Sequence, residues 1–303
     1  MTTQVSATAG DAHGIRPKGY RLPESTRLGR VRLQVADLGR SLAFYETILG
    51  LRVIRRDADS IWLGPHSEDR ESVHLRQLRT ARPVPKRGLL GLYHFALLLP
   101  DRASLGRFVA HLAEVGAHAG MSDHFVSEAV YLTDPDGLGI EVYADRPRDA
   151  WRYDERQLYM TTNHLDVDDL VRAARGKRWT GMPPGTVLGH VHLYVGDIEK
   201  AEAFYHGALG FDKVVWSYPG ALFLSAGGYH HHLGTNTWAR GAPAATDEDA
   251  RLLEWEIIVP TKTDADQAAA HVAAAGYEAK PENGEWVLTD LWGTSLRLVP
   301  ERK

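Results

Sequence analysis

The stretch LGRVRLQVADLGRSLAFYETILGL (28–51) returns as LGHVHLYVGDIEKAEAFYHGALGF (188–211), so one segment of chain is used twice, 160 residues apart. Asp37 maps onto Asp197, Phe44-Tyr45 onto Phe204-Tyr205, and Leu49-Gly50 onto Leu209-Gly210. Further out, HLAEVGAH (111–118) matches HVAAAGYE (271–278) at the same offset. TDPDGLGIEVY (133–143) matches TDLWGTSLRLV (289–299) at an offset of 156. Repetition at a fixed period marks a supersecondary unit used several times. The chain therefore reads as two related halves, each built from two related units.

Every unit has the same grammar. An alternating strand comes first, with His190, His192 and Tyr194 on one face and Val191, Leu193 and Val195 on the other. An Asp then caps a helix whose apolar residues recur at helical spacing, as in Ile198, Ala201, Phe204/Tyr205 and Leu209. Gly50, Gly116, Gly210 and Gly276 supply the helix stops. Three short strands follow, separated by turns such as Asp134-Pro135-Asp136-Gly137. The expected modules span 28–79, 90–144, 187–238 and 252–300. The fold class is α+β: four βαβββ modules forming two half-open barrels. Residues 1–22 read as a flexible tail, 23–144 as the N-terminal half, 145–186 as a linker with a short helix near Asp166–Ala174, and 187–303 as the C-terminal half.

Strand side chains alternate, so a curling module points every second residue into its concave face. Seven residues before the capping Asp stand Arg30, His94 and His190 in modules one to three; the 160-residue offset carries His94 onto Glu254 in module four. The matching last-strand position is Glu141 in module two and Arg297 in module four. Arginine cannot bind a cation. Modules two and three thus concentrate His94, Glu141 and His190, two imidazoles and a carboxylate. That set is the usual facial triad of non-haem Fe(II) sites that leave open positions for substrate and O₂. A lone strand histidine is more often structural; coincidence at repeat-equivalent positions is what lifts these three. Glu141 inside the apolar run Gly139–Tyr143 also needs a buried partner.

Composition narrows the field. With 303 residues, 44% hydrophobic and 24% charged, the chain has the balance of a globular protein of about two domains. A net charge of −4 argues against nucleic acid, and no apolar run is long enough to span a membrane. The N-terminus lacks a secretory layout, which gives a cytoplasmic expectation. There is no cysteine, so disulfides, thiolate nucleophiles and Cys-held metals are excluded, and any metal takes N and O ligands from 15 histidines and 39 carboxylates.

The motifs GHVHLYVGD (189–197), YHFALLLPD (93–101), DPDGLGIEVYADRP (134–147) and YHHHLGTNTW (229–238), with the segment Ser122-Asp123-His124, resemble the vicinal oxygen chelate superfamily. Within it they resemble the four-module extradiol catechol 2,3-dioxygenases, over roughly residues 27–300. The resemblance implies a mononuclear Fe(II), with Mn(II) the alternative, held by His94, Glu141 and His190. It implies acid–base catalysis by His231, with His230 and His232 on the other side of the strand. Tyr131 and His124 would contact the substrate hydroxyl and the oxygen, and His192 would bind substrate. The partners would be a catechol-type molecule and O₂, and the chain is expected to be a homo-oligomer. The better-known relatives place the working residues in modules three and four; here modules two and three must share a barrel, within one chain or between subunits. The rival readings are a glyoxalase-type isomerase or lyase with Glu254 or His231 as fourth ligand, and a metal-free binder of aromatic molecules. Trp216, Tyr218 and Trp238 are candidates for an aromatic pocket, although aromatics at strand positions are more often core, and the other histidines read as surface or structural residues.

Overall fold

The computed structural model describes residues 13–301. Four modules follow one another along the chain. The first contains β1 (Arg27–Val35), α1 (Leu38–Thr47), β2 (Arg52–Arg56), β3 (Ser60–Gly64) and β4 (Val73–Gln77); the second contains β5 (Gly91–Leu98), α2 (Arg102–Glu114), β6 (Gly120–Asp123), β7 (Ser127–Thr133) and β8 (Gly139–Asp145). The linker forms a small hairpin, β9 (Tyr153–Asp154) and β10 (Gln157–Leu158), then α3 (Val167–Ala173). The third module is β11 (Val187–Tyr194), α4 (Ile198–Ala201), β12 (Asp212–Val215), β13 (Ala221–Ser225) and β14 (Leu233–Asn236). The fourth is β15 (Arg251–Val259), α5 (Lys262–Ala274), β16 (Ala279–Glu282), β17 (Glu285–Thr289) and β18 (Ser295–Pro300).

The helix starts follow from their caps. Asp37, Asp101 and Asp197 each accept a backbone N–H three residues on. Module four departs from this rule: Thr261 is the cap, in a reciprocal capping box with Asp264. Gly50, Gly116, Gly210 and Gly276 all take positive φ just past the helix ends. The third helix changes character after Ala201 and continues as a π-helical turn over Glu202–Ala208. The repeated tyrosines of α1 and of this turn are structural, since Tyr45 donates to the buried Asp134 of module two and Tyr205 to the buried Asp290 of module four.

Two eight-stranded sheets result, and each takes one module from each half of the chain. One runs β16-β17-β18-β15-β1-β4-β3-β2, joining modules four and one; the other runs β12-β13-β14-β11-β5-β8-β7-β6, joining modules three and two. The seams are antiparallel, β1 with β15 and β5 with β11. One chain therefore closes the module two–three sheet by itself, as a half-open barrel. A continuous apolar core, including Leu33, Phe95, Leu193, Trp255 and Leu298, draws on both sheets.

The reading of residues 1–22 as a flexible tail needs correction where it can be checked. Residues 1–12 lie outside the described residues. Residues 13–22 are tied down: Ile15 pairs with Lys213, Arg21 bridges Asp212, and Leu22 is buried. Among the described residues, no helix is long and apolar enough to cross a membrane.

Candidate metal centre

The sheet register assembles the site. Tyr131 lies opposite Glu141, Glu141 opposite Ala96, and Ala96 opposite His190, so one row crosses β7, β8, β5 and β11. The next row sets His94 opposite His192, then Gly234 and Phe223. Small residues make the rows work. Ala96 stands between Glu141 and His190, and a Cβ on Gly234 would fall 2.8 Å from the His192 ring. A Cβ on Gly189, beside His190, would collide with the Tyr143 hydroxyl at 1.8 Å.

His94, Glu141 and His190 converge and are all buried. Glu141 Oε2 lies 3.0 Å from His94 Nε2 and 3.1 Å from His190 Nε2, and the two Nε2 atoms are 3.3 Å apart. Donors bonded to one ion at about 2.1 Å would sit about 3.0 Å apart on a face of an octahedron. The protons argue the same way: if both Nε2 atoms carried hydrogen toward the one carboxylate oxygen, they would face each other as donors at 3.3 Å. A shared cation removes that conflict, so the three residues fit a divalent metal of N/O preference. Burial lowers His190 to about 4, against the pull of Glu141, which keeps it a neutral ligand. Burial pushes Glu141 upward, but His190 and then His94 outweigh it and hold the carboxyl well below its usual range. This is the one cluster of metal-competent residues found among the described residues.

A cavity of about 330 Å³ opens beside the triad. His94, Glu141, His231, His192, His124 and Tyr131 all line it, while His190 does not and joins the site through its Nε2, 3.1 Å from Glu141 Oε2. His231 belongs to the turn leading into β14 rather than to the strand itself. Of the three consecutive histidines it alone lines the cavity. His232 turns away to Ser225 Oγ and the backbone N–H of Ala226.

His230 faces Asp145, and this fixes a proton pattern that sequence reading missed. Its Nε2 donates to Asp145 Oδ1 at 2.9 Å, and in the singly protonated form of the ring Nδ1 is then an acceptor. The His231 Nδ1, 2.7 Å away, must then carry the hydrogen. That leaves His231 Nε2 as the ring's unprotonated nitrogen. Burial first, then the neighbouring His190 and His230, hold His231 well below its usual range, which keeps it neutral. Tyr229 also donates to Asp145, and Tyr143 donates to Tyr229.

The linker, read as merely connective, forms part of the site. Asp123 and Asn163 exchange backbone hydrogen bonds at 3.0 and 2.9 Å, seating Met160, Thr161 and Thr162 on the cavity wall. His124 Nδ1 donates to the Thr161 carbonyl at 2.6 Å. In the neutral ring Nε2 therefore accepts from the Tyr131 hydroxyl at 2.7 Å. Asn236 donates its amide to His192 Nε2 at 3.0 Å. Of the three aromatics weighed between pocket and core, Tyr218 and Trp238 line the cavity with Tyr93 and Phe223, whereas Trp216 packs against the core. The one available signal for Tyr93 was its place beside the ligand His94.

The profile of the Glyoxalase/Bleomycin resistance protein/Dioxygenase superfamily matches residues 27–142 and 187–293. The chain belongs to that superfamily. The vicinal oxygen chelate resemblance thereby holds over most of the sequence. Among its relatives, a catechol-2,3-dioxygenase of Bacillus subtilis (strain 168) is 42% identical over 271 residues, 88% of this chain and 94% of that protein. Solved structures show the superfamily fold. A candidate dioxygenase from Bacillus subtilis subsp. subtilis str. 168 has a TM-score of 0.64 at 11% identity, over 94% of this chain and 87% of that one. Glyoxalase I from Zea mays has a TM-score of 0.56 at 18% identity, over 91% and 92%.

Proposed function

We propose that this superfamily member is an extradiol ring-cleaving dioxygenase, which opens a catechol-type ring with O₂ at an Fe(II) held by His94, Glu141 and His190, Mn(II) being the alternative metal. The observation that carries the reading is the convergence of these three donors beside a cavity that His94 and Glu141 line and that also holds a base-ready histidine. The name of the 42% identical relative supports it. When bound, the metal would supply a Lewis acid with open positions for the two diol oxygens and for O₂.

The protein's own residues handle protons and position. A diol must lose a proton to bind as an anion, and the lone pair on His231 Nε2 takes it; the same atom returns it once the ring carbon–carbon bond beside the diol has broken. The His230–Asp145 pair holds the tautomer that makes this direction of transfer available. Tyr131, fixed by His124, and His192, fixed by Asn236, orient the ring and exclude water. Both atoms of O₂ end in the product, so catechol and O₂ are consumed in equal amounts.

The arrangement disfavours an isomerase with a carboxylate fourth ligand. Glu254 lies in the other sheet, 3.0 Å from Arg297. The test is to load the protein with Fe(II) and catechol without oxygen and then admit air. A yellow ring-opened product should form with equimolar oxygen uptake. Retention of iron without oxygen uptake across several catechols would overturn the reading.

A further inference from the structure

The cavity wall specifies more than a diol. A dry cavity of about 150 Å³ already holds benzene, and this one measures about 330 Å³. The cavity therefore has room for a substituent beyond the reacting ring. The wall around that room is mainly Tyr93, Met160, Tyr218, Phe223 and Trp238, an aromatic and thioether surface, together with neutral serine and threonine residues. Among the described residues no Lys or Arg lines the cavity, and the negative group there is Glu141. An anionic substituent would add a further anion beside Glu141 with no protein cation on the wall, and the charge of a bound metal would already be shared between Glu141 and the ionised diol. Lys86 belongs to a neighbouring cavity, of about 660 Å³, which shares Tyr93, His94 and Tyr131 with this one.

We propose that the site takes catechols carrying a neutral apolar substituent, alkyl or aryl, packed against Tyr218, Phe223 and Trp238, and discriminates against carboxylated catechols. The diol half of this assignment rests on the ring-cleavage reading; the substituent half rests on the wall alone. Trp238 is 47% exposed, so its indole stands at the rim, where an introduced charge can be tolerated without disturbing the core.

The experiment separates the two halves because it reads binding, not turnover. Full-length protein loaded anaerobically with Fe(II) is titrated with 3-methylcatechol and 3-phenylcatechol, and in parallel with 2,3-dihydroxybenzoate and 3,4-dihydroxyphenylacetate, by calorimetry. The neutral ligands should bind on the order of a hundredfold tighter. Trp238→Arg should then narrow that preference by about tenfold by supplying the missing counter-ion. Equal or tighter binding of the carboxylated ligands overturns the proposal, and Lys86→Met then reports whether that side chain supplied the charge. A preference that Trp238→Arg leaves unchanged also overturns it, because the substituent would not be lying on this wall. A neutral preference without later oxygen uptake supports the wall argument and counts against ring cleavage, so the two failures differ.

Discussion

The two sheets share a backbone plan and answer the same concave positions with opposite chemistry. Where one seam sets His94 opposite His192, the other sets Glu254 opposite Arg32; where one pairs Ala96 with Glu141, the other pairs Glu256 with Arg297. The position of His190 is taken by Arg30, which pairs with Glu71 and lies 2.8 Å from Glu256. In the module one–four sheet charges neutralise one another in place. In the module two–three sheet the small Ala96 removes one such partner, and three electron-pair donors are left facing a common point. The triad is a neighbour's ion-pair lattice with the cations taken out and the room left in.

That contrast predicts different failures at equivalent positions. Glu141→Ala should abolish metal retention, from about one ion per chain to none, and lower activity by at least about a thousandfold, read by metal analysis and oxygen uptake. Its counterpart Arg297→Ala should leave metal and activity intact. It removes the cation that Glu254, Glu282 and Glu285 share, leaving Arg32 as the charge opposite Glu254, and should cost up to about 3 kcal/mol in denaturant unfolding. If Arg297→Ala releases metal, or Glu141→Ala keeps it, the two sheets are not the separate devices described.

The difference was partly legible in the sequence. Strand alternation and a fixed count back from the helix cap are local properties, so they located His94, Glu141 and His190 and their substitutes Arg30, Glu254 and Arg297 before any coordinates. The count survives even in module four, where Thr261 replaces the expected Asp as cap seven residues after Glu254. What escaped was carried by segments without a period. Thr161, which seats His124, lies in the linker, where hydrogen bonding to β6 rather than any apolar pattern sets the path. The role of His230 depends on Asp145, 85 residues away, which brings its carboxylate to the ring only once β8 and the turn before β14 share a sheet. Tyr218 and Trp238 look like core residues because an apolar cavity wall and a core ask for the same side chains.

The proton pattern sharpens the comparison by a smaller amount. His230→Phe keeps volume but removes the acceptor for His231 Nδ1–H, so the base tautomer is no longer held. We expect kcat to fall about 10- to 100-fold with metal content and KM nearly unchanged. His230→Asn, which can restore an acceptor, should recover part of the loss. Equal losses in both variants together with lost metal would make His230 a packing residue.

The smallest effect at neutral pH belongs to the module one–four sheet, at His74. This residue is buried, stacks on Trp62 at 4.1 Å and has no hydrogen-bond partner for Nε2 among the described residues. Burial, reinforced by the charges of Arg32, Arg30, Arg55 and Arg76, drops it to about 3. The sign follows from comparing states. As pH falls through the ordinary value near 6.5 the unfolded chain takes up a proton that the native ring refuses until about pH 3. Stability therefore declines with falling pH across that window, by up to about 1.4 kcal/mol per pH unit from this one group. His74→Phe preserves the stack on Trp62 and deletes the titration. The difference in unfolding free energy between wild type and variant should shrink steadily from pH 6.5 downward, with metal content and activity unchanged. A difference that stays constant with pH would mean that the ring accepts its proton in the folded protein, and that the arginines of this sheet are fully spent on their carboxylates.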